Sequence, residues 1–187
     1  LTNVAHEGPG MLGELLRDAG YQVEVIEAFA GVALPSDLGG DDILVVMGGP
    51  MGVADIGKPE TPWLAPVVEL LRHRIAKDWP NIGVCLGMQL MAHAAGAKVA
   101  PMTDAKGARV REVGWGRLDF VGTDITTRGL PASIEVLHWH GDACELPVCA
   151  CFVREAWCGA GAGKEAASRG CRIPPLPEIT AGGEQVE

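Results

Sequence analysis

The apolar positions of the first 140 residues change period several times, and the changes divide this part of the chain into short alternating elements. Val4-Ala5 reads as the stub of a strand. Gly8-Pro9-Gly10 then opens a helix predicted over 11–19, with Met11, Leu12, Leu15 and Leu16 on one face and Gly20 as its stop. Residues 21–26 alternate polar and apolar in the manner of a strand. Ile43-Leu44-Val45-Val46-Met47 is a continuous apolar run of the kind a strand buried on both faces carries, and Gly48-Gly49-Pro50-Met51-Gly52 breaks it. A helix follows over 61–77 with Pro62 near its first turn, then a brief buried strand at Ile82-Gly83-Val84. A helix over 86–95 ends at Gly96, and 98–100 forms one more strand. Residues 108–121 and 134–139 read as strands of a small mixed or antiparallel extension. Strands alternating with helices predict an α/β fold: a doubly wound, mostly parallel sheet of the flavodoxin-like three-layer kind, with its ligand site at the C-terminal strand ends.

After Pro147 the periodicity lapses. Residues 148–187 are rich in Ala, Gly, Cys, Arg and Pro. Gly159, Gly161 and Gly163 would weaken any helix there, and Pro174-Pro175-Leu176-Pro177 forbids regular structure. The chain therefore divides into a domain over 1–147 and a divergent tail over 148–187. Disorder, or a reading-frame change in a GC-rich gene, would account for the tail's composition.

Charge and cysteine usage narrow the classes. A net charge of −9 speaks against a nucleic-acid partner, which needs clustered Lys and Arg. No apolar run reaches the length of a membrane span, and the first residues show neither the basic start nor the apolar core of a signal peptide. The expected location is cytoplasmic. Cys85 stands alone in the first 143 residues, while Cys144, Cys149, Cys151, Cys158 and Cys171 crowd the end. That distribution is not a secreted disulfide framework. With no C-x-x-C pair and no His after His140, neither a metal site nor a cofactor is expected.

The segment with the most chemistry is Gly83-Val84-Cys85-Leu86-Gly87. A strand runs into a nucleophile-type residue flanked by glycines, and a helix begins at once. Such an elbow projects the side chain from the strand end, and a helix N-terminus favours a thiolate. A small buried cysteine in a glycine-rich turn is the plainer alternative. The loop at Gly48-Gly49-Pro50 could offer backbone N–H groups to an oxyanion, or be an ordinary turn. Leu137-His138-Trp139-His140-Gly141-Asp142 places polar residues at another strand end, where the two imidazoles could equally be surface groups.

Taken in order, His6-Glu7-Gly8-Pro9-Gly10, residues 44–55 (LVVMGGPMGVAD), 83–92 (GVCLGMQLMA), Glu112-Val113-Gly114-Trp115 and 136–142 (VLHWHGD) resemble the class I glutamine amidotransferases, nearest to their GMP-synthase-like stand-alone subgroup. The resemblance covers roughly residues 1–147. It implies that Cys85 attacks the glutamine side-chain amide to give a γ-glutamyl thioester and ammonia. The N–H groups of Gly49 and Leu86 would form the oxyanion hole, Gln89 would hold substrate, and Trp139, His140, Gly141 and Asp142 would line the glutamine pocket. A synthetase accepting the ammonia is the implied partner, with no nucleic acid and no membrane. The family completes its catalytic set with a His–x–Glu near the C-terminus, and this chain has no His beyond His140. The glutaminase chemistry is therefore expected to be impaired. His138 and His140 belong by resemblance to the pocket rather than to the base. His6, His73 and His93 read as structural or solvated, His73 lying between Arg72 and Arg74 on a charged helix face. A non-catalytic binding or regulatory protein, or a γ-glutamyl-peptide hydrolase, remains the alternative on the same fold.

Overall fold

In the computed structural model, residues 1–36, 38–119 and 129–144 are described. The apolar run forms strand β1 (Leu44–Val46), with Leu44 and Val46 buried. It pairs in parallel with β2 (Asn81–Gly83), in register Leu44↔Asn81 and Val46↔Gly83. Parallel neighbours need a crossover, and helix α2 (Leu64–Ala76) supplies it. Leu64, Val67, Val68 and Leu71 recur at helical spacing and are buried. Directly after β2 comes α3 (Leu86–Ala94), whose Leu86, Leu90 and Ala94 join the same core. No described helix is long and apolar enough to cross a membrane.

The ladder continues on the other side of β1 through irregular backbone. The amino group of Leu1 donates to Val45 O (2.7 Å) and the Met47 N–H to Leu1 O (3.0 Å). Thr2 in turn makes a parallel bridge to Glu27, donating to Ile26 O at 2.9 Å. No strand forms at 4–5: the pairing lies earlier, at Leu1 and Thr2, and 21–26 takes part only through the Ile26 carbonyl. Helix α1 (Gly10–Asp18) also differs from its expected packing. Gly13 is its buried residue, while Met11 and Leu15 are exposed.

The rest of the described sheet structure is antiparallel, and its longer pair lies where a small mixed or antiparallel extension is expected. Strand β3 (Val99–Pro101) pairs with β6 (Asp142–Cys144), and β4 (Glu112–Asp119) with β5 (Ser133–His140). Strand β4 starts later than expected because 103–109 closes a turn, with Asp104 Oδ1 accepting the N–H groups of Lys106 and Ala108 at 2.9 Å each. Strand β6 had no periodic signal. The expected two-sided burial of β2 also fails at Ile82, which is exposed because β2 pairs with β1 alone among the described residues. The tail assigned to 148–187 lies outside the described residues.

Arg74 corrects the reading of α2. It occupies the apolar stripe one turn beyond Leu71 and is fully buried rather than on a charged face. Its guanidinium donates to Asn81 Oδ1 (2.9 Å) and to the carbonyls of Gly39 (3.2 Å), Asp42 (2.6 Å) and Pro80 (3.0 Å). Burial lowers its pKa from the ordinary arginine value, and the nearby Asp42 carboxylate acts the other way. Its five donors fasten α2 to the segment leading into β1 and to the start of β2. Arg74→Met should leave these carbonyls unpaired and lower stability by about 3 kcal/mol or more, whereas exposed Arg72→Ala should change it by less than about 0.5 kcal/mol. Urea unfolding of the two variants checks this; equal effects would contradict the anchoring role.

Candidate functional site

Cys85 lies between β2 and α3 with φ +49° and ψ −109°, a conformation that side-chain-bearing residues seldom adopt. The turn is tied on both sides. The Val84 N–H donates to Val46 O (2.9 Å), the Gly87 N–H to Val84 O (2.8 Å), and the Gln89 N–H to Cys85 O (3.1 Å). The flanking glycines are required by space. A Cβ on Gly87 would lie 2.0 Å from Val46 O, and one on Gly83 would lie 2.5 Å from the Met88 nitrogen. Strand β1 and the first turn of α3 therefore touch backbone to backbone, which puts Cys85 at the end of the strand pair.

The 47–52 loop borders this turn. A Cβ on Gly48 would be 3.6 Å from Cys85 Cβ, and one on Gly49 would be 3.2 Å from Leu86 Cδ2. Asn3, fully buried, holds the loop by donating Nδ2 to Met47 O (2.8 Å) and Gly48 O (3.3 Å). The Glu7 carboxylate reaches the same place: its Oε2 would be 2.7 Å from a Gly48 Cβ. Among the described residues the N–H groups of Gly49 and Leu86 have no backbone acceptor. Leu86 is the first residue of α3, where N–H groups have no intrahelical partner.

The third side is the end of β5 and the start of β6. Trp139 O lies 4.0 Å from Cys85 Sγ. Asp142 Oδ2 would be 3.1 Å from a Gly52 Cβ, and Asp142 Oδ1 accepts from Arg109 at 3.3 Å. The Gly141 carbonyl accepts the Met102 N–H at 2.9 Å. Gln89 is buried on α3 one turn beyond Cys85. His140 turns from this convergence toward Glu112, its Nε2 standing 3.2 Å from Glu112 Oε2, and His138 Nδ1 is 3.8 Å from the same oxygen.

The family model described as glutamine amidotransferase class-I matches residues 10–166. The chain belongs to the class I glutamine amidotransferases. Among its relatives, the glutamine amidotransferase-like protein YfeJ of Salmonella typhimurium is 30% identical over 152 residues, covering 74% of this chain and 59% of that protein. A glutamine-hydrolyzing GMP synthase of Thermomicrobium roseum is 33% identical over 100 residues, covering 53% of this chain and 16% of the synthase. A crystal structure of a glutamine amidotransferase from Thermotoga maritima superposes with a TM-score of 0.67 at 28% identity, over 78% of this chain and 60% of that one. One from Methylobacillus flagellatus gives 0.64 at 29% identity, over 78% and 55%. The chain thus spans less than two thirds of the length of these relatives.

The residues singled out from sequence come together from three places: Cys85 and Leu86 at the turn, Gly49 in the loop, and Trp139 and Asp142 where β5 ends and β6 begins. Asn3, Glu7 and Glu112 were missed. Each is far in sequence from what it touches, and no spacing rule links Asn3 to residues 47–48 or Glu112 to His140. The steric account of the turn makes a prediction. Gly87→Ala should destabilise the domain by about 3 kcal/mol or more, beyond ordinary overpacking, because backbone must move. Gly8, with nothing within 4 Å of an added Cβ, is the control. Thermal unfolding showing Gly87→Ala no worse than Gly8→Ala would contradict the close approach.

Proposed function

We propose that this domain hydrolyses the side-chain amide of glutamine through a Cys85 thioester, and that it does so slowly. The observation carrying the proposal is the left-handed turn at Cys85 between β2 and α3, with the Gly48-Gly49 loop beside it. In this reading the turn is a nucleophile elbow and the parallel ladder through residues 27, 2, 45 and 82 belongs to a flavodoxin-like sheet. The Cys85 sulfur adds to the amide carbon, and the N–H groups of Gly49 and Leu86 stabilise the tetrahedral oxyanion. Collapse expels the amide nitrogen, which takes up a proton and leaves as ammonia. Water then cleaves the γ-glutamyl thioester to glutamate and regenerates the thiol. Gln89 and the segment from Trp139 through Asp142 hold glutamine.

Both steps move protons, and no histidine lies in residues 141–187 to carry them. His138 and His140 face Glu112, which supports keeping them out of that role. Ammonia would pass to a synthetase, as the relation to a glutamine-hydrolyzing GMP synthase suggests. A cytoplasmic site of action fits that partner. The second reading, a binding or regulatory protein that retains the pocket, is favoured by the same lack of an imidazole.

Ammonia release from glutamine by the wild-type chain and Cys85→Ala separates the readings. The expected result is release about 10²–10⁴-fold below that of an enzyme with a positioned base, and none from Cys85→Ala. Equal release from both proteins would remove Cys85 from the chemistry. Rapid Cys85-dependent release would contradict the lack of a base.

A further inference from the structure

The β4–β5 hairpin has its polarity reversed. Along both strands alternate side chains face opposite ways. Val113, Trp115, Leu137 and Trp139 are exposed, Trp115 by 75% and Trp139 by 71%, whereas Glu112, His138 and His140 lie on the covered side. The register places Glu112 opposite His140 and Gly114 opposite His138, so the three polar side chains are direct or diagonal neighbours. Their ligand atoms all lie within 4.8 Å of one another. Gly116 makes room for one of them, since a Cβ there would be 2.7 Å from His138 Cδ2.

The cluster lacks something. Glu112 Oε2 is buried without a hydrogen-bond partner among the described residues, and so is His138 Nε2, while the His138 nitrogen nearer Glu112 is Nδ1. His138 is only 4% exposed. His140 Nδ1 lies 3.4 Å from Asp142 O; a proton held there leaves the Nε2 lone pair aimed at Glu112 Oε2. Two imidazole nitrogens thus converge on one carboxylate oxygen, at 3.2 and 3.8 Å. A proton shared with that oxygen would serve one of them. A metal cation between His138 Nδ1, His140 Nε2 and Glu112 Oε2 would serve these three atoms and relieve the buried carboxylate oxygen.

We propose that Glu112, His138 and His140 bind one divalent transition-metal cation, zinc fitting best. Two imidazoles and a carboxylate suit zinc and discriminate against magnesium and calcium, which take oxygen ligands. Zinc bonds of about 2.0–2.1 Å in tetrahedral geometry put ligand atoms roughly 3.3 Å apart. The His140–Glu112 separation of 3.2 Å matches that value, and the 3.8 Å to His138 would shorten on binding. Three protein ligands leave a fourth position for water, and the Asp142 carbonyl orients the His140 ring from outside. Bound metal would also fix the stretch of β5 whose Trp139 carbonyl faces Cys85. The proposal does not depend on the glutamine chemistry.

Cobalt(II) is the probe, because its spectrum reports ligand type. The full-length chain, stripped with chelator, should bind one Co²⁺ with the visible bands of a tetrahedral nitrogen–oxygen site and no thiolate charge-transfer band, and Zn²⁺ should displace it. That distinction matters because the chain has six cysteines. Glu112→Gln and His140→Ala, both at partly exposed positions, should each weaken binding by more than the roughly 10–100-fold typical of losing an outer-shell partner. Far-UV circular dichroism verifies that they fold. Absence of Co²⁺ binding, a thiolate band, or binding unchanged in both folded variants would overturn the proposal.

Discussion

The arrangement around Cys85 depends on one steric constraint, the contact between the Val46 carbonyl and the backbone of α3 at Gly87. Nothing larger than hydrogen fits on Gly87, since a Cβ there would come within 2.0 Å of Val46 O. That contact sets how near the helix start comes to the strand pair, and Cys85, two residues before it, takes φ +49°. It also brings the loop that follows β1 beside the residue that follows β2. Strain of this kind persists only when the surroundings over-determine it. Here the bonds from Val84 to Val46 and from Gly87 to Val84, together with the core of Leu44, Val46, Leu86 and Leu90, hold the turn.

Polar groups complete what the steric contact begins. Asn3 pins the carbonyls of Met47 and Gly48, and Arg74 pins the chain before β1 to that before β2. Both are buried side chains whose hydrogen bonds go mostly to backbone carbonyls. They fix the positions of loops whose few apolar side chains would not hold them. The third wall, from Trp139 through Asp142, is carried by a hairpin built differently, with acid and imidazoles inside and tryptophans outside.

How far the sequence could be read follows from range. The run at 43–47 and the stripe Leu64, Val67, Val68 and Leu71 depend on period alone, and β1 and α2 lie where the periods put them. The turn at Cys85 was legible because its steric demand is met by neighbours two residues away. Arg74 was misread because charge outweighed its position in the apolar stripe. An antiparallel extension was legible at 108–121 and 134–139, but its register, strand β6 and the Glu112–His138–His140 cluster were not. They depend on register between separate segments, which no local spacing encodes.

The central claim is that Cys85 is the nucleophile of a glutamine site. It is tested most directly by peptide mass mapping after treatment with a chloroketone analogue of glutamine, run in parallel with a non-specific alkylating agent. The account predicts that the analogue modifies Cys85 in preference to the five other cysteines and that excess glutamine protects it. Labelling spread over all six, or labelling of Cys85 indifferent to glutamine, would contradict it.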